Sequence, residues 1–154
     1  MKKLFISIIG LSFVVALVLS LAPNTTATES KPITGNSFQD QIDLNSSTMK
    51  GKAIYEGKGT CSVCHQLTGQ GLLPVFPPLA EADYLLADKN RAIHQTMYGS
   101  KEPITVNGTT YPGGVMTVIP LTDEEVMHVV NYILNSWGND GGTVTLDEVK
   151  AQRK

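Results

Sequence analysis

The chain has 154 residues, of which 42% are hydrophobic, 17% charged and 6% aromatic, a composition that fits one folded domain. Twelve basic and fourteen acidic residues give a formal net charge of -2, which argues against a general nucleic-acid-binding protein. Fourteen glycines and eight prolines are ordinary numbers, so a collagen-like or wholly disordered chain is excluded. Two cysteines are too few for a scaffold held by several disulfides.

The N-terminal segment has the pattern of an export signal. Lys2 and Lys3 precede a run without charge over residues 4–21, and a polar stretch with small residues follows. This order is typical of a secretory signal, which we assign to residues 1–27 with cleavage after Ala27. The alternative is an uncleaved membrane anchor through residues 4–21, because about 18 residues are just enough to span a bilayer. Both interpretations predict an exported, periplasmic protein.

The rest of the chain is predicted to form a polar tether and then one domain. Residues 28–47 are polar and irregular in pattern, with proline, glycine and several asparagine and serine residues. The domain is assigned to residues 48–154. Its predicted elements, in chain order, are a short helix over 49–55, a segment over 61–79 that is mostly loop, a helix over 85–98, a hairpin over 104–111, a helix over 122–137 and a short helix from Thr145.

Two of these elements have strong local signals. Asn107-Gly108 lies between two short alternating runs, which is the strongest short-range signal for a hairpin. Thr122 and Glu125 have the spacing of a capping box, and a stripe of apolar residues at helical spacing follows them. We therefore expect a tight hairpin and then a well-capped helix in the second half of the domain.

Both cysteines lie in the sequence Cys61-Ser62-Val63-Cys64-His65. This is the attachment spacing of a c-type haem, in which two thiols three residues apart bond the two vinyl groups. The histidine that follows directly is then placed as an axial ligand of the iron. The motif predicts one covalent haem c, bound through Cys61, Cys64 and His65.

Three other interpretations of the two cysteines compete with haem attachment. A disulfide between Cys61 and Cys64 would suit an oxidising compartment. A thioredoxin-like redox pair would need a βαβ context, which the chain lacks. A zinc site would need a second pair of ligands, and His94 and His128 are the only other histidines.

The second axial ligand is less directly specified. Met97 and Met127 lie in helical rhythm, where methionine more often fills a core, and Met49 is close to the attachment motif. Met116 lies in a loop between the predicted hairpin and the capped helix, and loops carry many ligand residues. We favour Met116, with Met97, His94 or an open iron site as alternatives. With both axial positions filled, electron transfer is the expected activity.

The motif and its surroundings resemble the class I c-type cytochromes over about residues 49–153. The resemblance is greatest to the small cytochrome domains found beside or fused to copper nitrite reductases and quinoprotein dehydrogenases. It is carried by Gly51-x-x-Ile54-Tyr55, Cys64-His65-Gln66-x-x-Gly69-x-Gly71, Phe76-Pro77-Pro78-Leu79-Ala80, Tyr111, Met116 and Asn131-Tyr132-x-x-Asn135-Ser136-Trp137-Gly138-Asn139.

The resemblance implies an all-α class I cytochrome c fold, with about four helices around one covalent haem. It also implies that the Pro77 carbonyl accepts a hydrogen bond from the ring of His65 and orients that ligand. Leu79 would pack on the porphyrin. Gly51 and Tyr132 would meet where the first and last long helices cross.

The function implied is that of a periplasmic mono-haem carrier of single electrons, not an enzyme. Its partners would be redox proteins such as a copper nitrite reductase, a terminal oxidase or a quinoprotein dehydrogenase. The alternatives are an electron-transfer subunit docked on a dehydrogenase or nitrite reductase, and an open-site haem enzyme or gas sensor. One residue departs from the subgroup: Thr117 follows Met116 where proline is usual, and proline would stiffen the ligand loop.

Overall fold

The structure is a computed structural model, and it describes residues 35–153. The predicted signal segment over 1–27 and residues 28–34 of the predicted tether lie outside the described residues. Within residues 35–153, no helix is long and apolar enough to cross a membrane. The elements are α1 (Gly35–Glu56), α2 (Cys61–His65), α3 (Asp83–Leu86), α4 (Lys89–Tyr98), β1 (Ile104–Val106), β2 (Thr109–Tyr111), α5 (Asp123–Leu134) and α6 (Leu146–Gln152).

The predicted all-α class with one hairpin is confirmed. Four of the helices have seven or more residues, and α2 and α3 are single short turns. The two strands pair antiparallel around Asn107-Gly108, with Val106 opposite Thr109. The predicted capping box of Thr122 and Glu125 is present at the start of α5, and Thr145 and Glu148 form a second one at the start of α6.

The first helix begins at Gly35, fourteen residues before the predicted start at Met49. The prediction of an irregular tether up to residue 47 is therefore wrong for the segment from residue 35. This segment is polar because most of it is exposed, so it has no apolar stripe to indicate a helix. Hydrogen bonds between side chains one turn apart stabilise it, from Gln39 to Asp43 and from Gln41 to Asn45.

The predicted helix over residues 85–98 is divided into α3 and α4. Asp88 has an extended backbone, with φ −157°, and its carboxylate accepts a hydrogen bond from the Asn90 amide. Aspartate is a strong N-cap, so it ends one helical segment and begins the next. The predicted helix over 122–137 also ends earlier, at Leu134, although its apolar stripe is buried as expected.

The first and fifth helices cross at Gly51. A β-carbon built on Gly51 would lie 2.0 Å from the carbonyl oxygen of His128 and 2.6 Å from Cβ of Tyr132. Ser47, Gly51 and Tyr55 are all buried and lie at four-residue spacing along α1, so they form its contact face. The predicted meeting of Gly51 and Tyr132 is confirmed by this close approach.

A buried polar network lies beside this crossing. The Asn131 amide donates to the Ser47 hydroxyl oxygen at 3.1 Å and to the Val144 carbonyl at 3.0 Å. Since Ser47 Oγ accepts from Asn131, its own hydrogen is available to Nδ1 of His128, which lies 2.8 Å away. In this arrangement Nδ1 accepts, and the neutral form of His128 fits the network.

The folded protein is expected to lose stability as the pH falls from about 7 to about 5, partly through His128. Burial lowers the pKa of His128, and Lys50 acts in the same direction. The unfolded-state pKa is about 6.5, so the contribution of neutral His128 is complete above that pH and is lost as the pH falls through the folded pKa. Denaturant unfolding of the haem-loaded protein across this range measures the effect.

The matched variants are His128→Gln and His94→Gln. We expect the free energy of unfolding of His128→Gln to depend less steeply on pH than that of the wild type. His94 is exposed on α4 and outside the network, so His94→Gln should keep the wild-type slope. Equal slopes for both variants would contradict the assignment.

Candidate functional site

One large cleft lies between the attachment motif, α4 and the loops on either side of the hairpin. Its volume is about 1350 Å³ with the open mouth included. Most of its wall is apolar. The wall includes all six residues that were predicted to bind the cofactor. Those six residues are Cys61, Cys64, His65, Pro77, Leu79 and Met116.

Both thiols lie at the wall of this cleft. Cys61 and Cys64 are three residues apart in α2, and both are half-buried and free of any disulfide. Burial raises the pKa of the Cys61 thiol to about 11, which keeps it protonated at neutral pH. The structure therefore holds both cysteine side chains against one apolar surface.

The His65 ring has a defined protonation state. Its Nδ1 lies 2.9 Å from the carbonyl oxygen of Pro77, and a carbonyl can only accept a hydrogen bond. Nδ1 therefore carries the ring proton, which leaves the lone pair on Nε2 free to bind a metal. The ring is 8% exposed, and this burial lowers the pKa of His65, although the bond to Pro77 opposes the shift.

The loop that supplies Pro77 folds tightly on the attachment motif. Gly71 has φ +66°, and a β-carbon there would lie 2.3 Å from the Phe76 carbonyl oxygen and 2.5 Å from that of Pro77. A side chain at this position would displace the carbonyl that orients His65. Leu79, at the end of the loop, is anchored by a 2.7 Å hydrogen bond from its amide to the Gly69 carbonyl.

Among the methionines of the described residues, Met116 lies at the cleft wall. Met97 and Met127 pack in or against the hydrophobic core instead, and Met49 is exposed on α1. His94, the histidine alternative, is exposed on α4. His128, considered only as a zinc ligand, is bonded to Ser47. The structure thus brings His65 and Met116 to one cavity and leaves the other candidates outside its wall.

Backbone hydrogen bonds hold the loop that carries Met116. The Ser100 amide donates to the Met116 carbonyl at 3.2 Å, and the Gly114 amide donates to the Ser100 carbonyl at 2.7 Å. Gly99, with φ +74°, permits this approach, because a β-carbon there would lie 2.2 Å from the Met116 carbonyl oxygen. These contacts constrain the loop at the position where Thr117 replaces the usual proline.

The structure also shows cleft residues that the sequence interpretation missed. Arg91, Gln95 and Thr96 of α4 line the same wall. In the sequence these polar residues look like part of a solvent-exposed helix face. The one sequence signal that could have identified them as cleft residues is their spacing around the apolar Ala92 and Ile93. Tyr84 lies beneath Arg91, with the guanidinium carbon 3.7 Å from the ring centre.

These residues fit a covalent haem. Two thiols, a neutral histidine with a free Nε2 and a thioether face one apolar cleft, which is the donor set of a haem c site with nitrogen and sulfur ligands. A zinc site fits less well, since residues 35–153 contain no cluster of three or more histidine, cysteine or acidic side chains. The geometry favours the haem interpretation of the two cysteines.

Comparisons with known proteins agree with this geometry. A family model described as Cytochrome c matches residues 48–137. Cytochrome c-552 of Thermus thermophilus is 39% identical over 83 residues, which cover 51% of this chain and 63% of the relative. The fructose dehydrogenase cytochrome subunit of Gluconobacter japonicus is 31% identical over 110 residues, or 69% of this chain and 22% of the relative.

A third relative is also a cytochrome subunit of a dehydrogenase. The cytochrome c subunit of alcohol dehydrogenase (quinone) from Gluconobacter oxydans is 28% identical over 95 residues, which cover 60% of this chain. That match spans 20% of the subunit's own length. The chain therefore spans less than two thirds of each of these relatives.

Proposed function

Because the chain belongs to the cytochrome c family, we propose that it carries single electrons between redox proteins, with His65 and Met116 as axial ligands of one covalent haem c. When bound, the haem supplies an iron centre that cycles between ferrous and ferric states, and histidine–methionine ligation favours the ferrous state. Cys61 and Cys64 hold the group, and the Pro77 carbonyl fixes the ring of His65.

One observation carries this proposal: among the described residues, Met116 is the methionine that lines the cleft shared with His65. Its loop is fastened to Ser100 by backbone hydrogen bonds, which fix the backbone that carries the thioether. Met116, held in this loop, would supply the second protein ligand of the haem iron. An iron with both sites filled has no position for a substrate, which favours electron transfer over catalysis at the iron.

Replacing Met116 by alanine is expected to open the iron to external ligands. We expect the ferrous Met116→Ala protein to bind carbon monoxide readily, while the wild type is indifferent to it. The oxidised variant should also lose the weak long-wavelength absorption band expected of methionine–iron ligation. Visible spectra of the exported protein, oxidised, reduced and then exposed to carbon monoxide, measure both effects.

Met127→Ala is the matched control. Met127 is half-buried against the core but does not line the cleft, so this variant loses a similar thioether and should still exclude carbon monoxide. A wild-type protein that binds carbon monoxide would contradict the proposal and favour the open-site enzyme or gas-sensor alternative. Indifference of Met116→Ala to carbon monoxide would exclude Met116 as the ligand.

The proposed location is the periplasm, with residues 1–27 as a cleaved export signal. This rests on the uncharged run over residues 4–21 that follows Lys2 and Lys3. N-terminal sequencing of the haem-containing protein tests it. A mature chain that starts near Thr28 would support cleavage, and an intact N-terminus in the membrane fraction would favour the anchor.

A second candidate is an electron-transfer subunit of a dehydrogenase. It is favoured by the relatives that are cytochrome subunits of fructose and alcohol dehydrogenases. Size-exclusion chromatography of a native extract distinguishes the two functions, because a subunit elutes with the dehydrogenase and a carrier elutes at the size of the single chain. Elution as a free chain would exclude the subunit.

A further inference from the structure

Residues 100–116, the hairpin arm, leave the end of α4 and return to the same place before α5. The arm consists of the hairpin followed by the loop that carries Met116. Its two ends meet, because the Ser100 amide donates to the Met116 carbonyl at 3.2 Å and the Gly114 amide donates to the Ser100 carbonyl at 2.7 Å. The hairpin and Met116 therefore share one base.

The tip of the hairpin arm is bound to the start of α3 by three hydrogen bonds. The Asp83 carboxylate accepts one from the Asn107 amide at 2.7 Å, and the side-chain oxygen of Asn107 accepts one from the Asp83 amide at 3.0 Å. The side-chain amide of Asn107 donates the third to the Glu81 carbonyl at 3.2 Å. We call this arrangement the clasp of Asp83 and Asn107, and its reciprocal bonds fix both the position and the orientation of the tip.

The clasp is attached to a fixed point of the domain. Arg91 of α4 donates from Nη2 to the carbonyl oxygen of Tyr84, and its guanidinium lies over the Tyr84 ring. Gln95 of α4 donates from its side-chain amide to the Tyr84 hydroxyl at 3.2 Å. These contacts hold α3 against α4, so the clasp connects the tip of the arm to the body of the domain.

The inner face of the hairpin arm forms part of the cleft wall. Ile104, Val106 and Tyr111 line the cleft, and the last two are 2% and 3% exposed. They pack with Ala82 in a small hydrophobic cluster that is separate from the main core. Segments with few buried apolar contacts open more easily than the rest of a domain. The polar clasp therefore contributes a large share of what keeps this arm closed.

We propose that Asp83 and Asn107 are positioning residues for Met116, because their clasp holds the hairpin arm closed and keeps the Met116 loop at the cleft wall. This inference rests on the proposed function, in which Met116 is the second ligand of the iron. An arm that is braced at its tip and its base has less freedom than one that is braced at its base alone. The clasp thus supplies the stiffness that proline would give to the loop at Thr117.

Loss of the clasp is expected to increase the rate at which Met116 leaves the iron. Imidazole binding to the ferric haem-loaded protein measures that rate, because it saturates with imidazole concentration when it must wait for the methionine to dissociate. We expect Asp83→Ala/Asn107→Gly to raise the saturated rate about tenfold, through the net loss of the clasp hydrogen bonds. Asn107 has φ +49°, which glycine adopts without strain, so the turn is retained.

Thr105→Ala/Thr110→Ala is the matched control. The two hydroxyl oxygens lie 3.3 Å apart on the outer face of the hairpin, and both side chains are exposed. This variant loses a hydrogen bond of the same arm and keeps the clasp, so its saturated rate should equal that of the wild type. Equal acceleration in the two double variants would overturn the proposal.

Imidazole binding to the wild type separates a failure of this proposal from a failure of the ligand assignment. A wild-type rate that does not saturate and equals that of Met116→Ala would overturn the assignment of Met116, and this proposal with it. A saturating wild-type rate that Asp83→Ala/Asn107→Gly leaves unchanged would overturn this proposal alone.

Hydrogen exchange of the haem-loaded wild type, followed by nuclear magnetic resonance, is an independent test that needs no variant. The Asn107 amide is bonded at the tip of the arm, and the amides of Ser100 and Gly114 are bonded at its base. If the clasp holds the whole arm, these three amides should exchange at similar rates and faster than the buried amides of α5. Rapid exchange of Asn107 with Ser100 and Gly114 as protected as α5 would overturn the proposal.

Discussion

Cys61→Ala/Cys64→Ala is expected to yield little folded protein. Without the thiols the haem has no covalent attachment, and the apolar cleft they border would be left empty or open to water. Its wall includes Leu79, Ile119, Leu121 and Val130, which are also part of the core or packed against it. Emptying such a space costs several kcal/mol, a large share of the roughly 5–15 kcal/mol that stabilises an ordinary domain.

Far-ultraviolet circular dichroism and the yield of exported protein measure this effect. Ser62→Ala is the matched control, since Ser62 lies between the two cysteines but does not line the cleft. We expect the control to keep the helicity, haem content and yield of the wild type. A haem-free double variant with wild-type helicity and one cooperative thermal transition would show that the protein chain alone specifies the fold.

Gly51→Ala is expected to destabilise the folded protein strongly. The new β-carbon would lie 2.0 Å from the His128 carbonyl oxygen, far inside contact distance, and both atoms belong to helices that cannot easily yield. Overpacking of this kind costs about 3 kcal/mol or more, which outweighs the gain of about 1 kcal/mol from replacing glycine in a helix. Thermal and denaturant unfolding of the haem-loaded protein measure the loss.

Ala53→Leu is the matched control, because it adds side-chain volume to the same helix without a steric conflict. Ala53 is exposed on the same helix, two residues from Gly51, so a larger side chain there should change the free energy of unfolding by less than about 0.5 kcal/mol. Stability of Gly51→Ala equal to or above that of the wild type would mean that α1 and α5 do not pack as closely as described.

The two ends of the domain differ in how far they were predictable. The α5 stripe and its capping box are local signals, so that helix could be predicted from the sequence alone. The early part of α1 could not, because it is mostly exposed and polar and has no apolar stripe. The contact face further along α1 consists of Ser47, Gly51 and Tyr55, where the close helix crossing and not hydrophobicity requires small residues.

The candidate site shows the same division. The attachment motif can be recognised in the sequence because haem attachment requires two thiols and a histidine at fixed spacing. Arg91 and Gln95 could not be recognised, because the α4 face that lines the cleft is as polar as a face turned to solvent. The fastening of Met116 to Ser100 depends on backbone groups, which every residue carries and no sequence pattern distinguishes.

The crossing of α1 and α5 also affects the order in which the chain can fold. Ser47 and His128 are 81 residues apart, whereas His65 and Pro77 are separated by 12. Closing the longer loop costs about 1.7 kcal/mol more in chain entropy, so the short attachment loop can form well before the two helices meet. The thiols of Cys61 and Cys64 lie inside that longer loop and remain accessible while it is open. We therefore expect the attachment motif to be open to haem attachment before α1 and α5 make their final contacts.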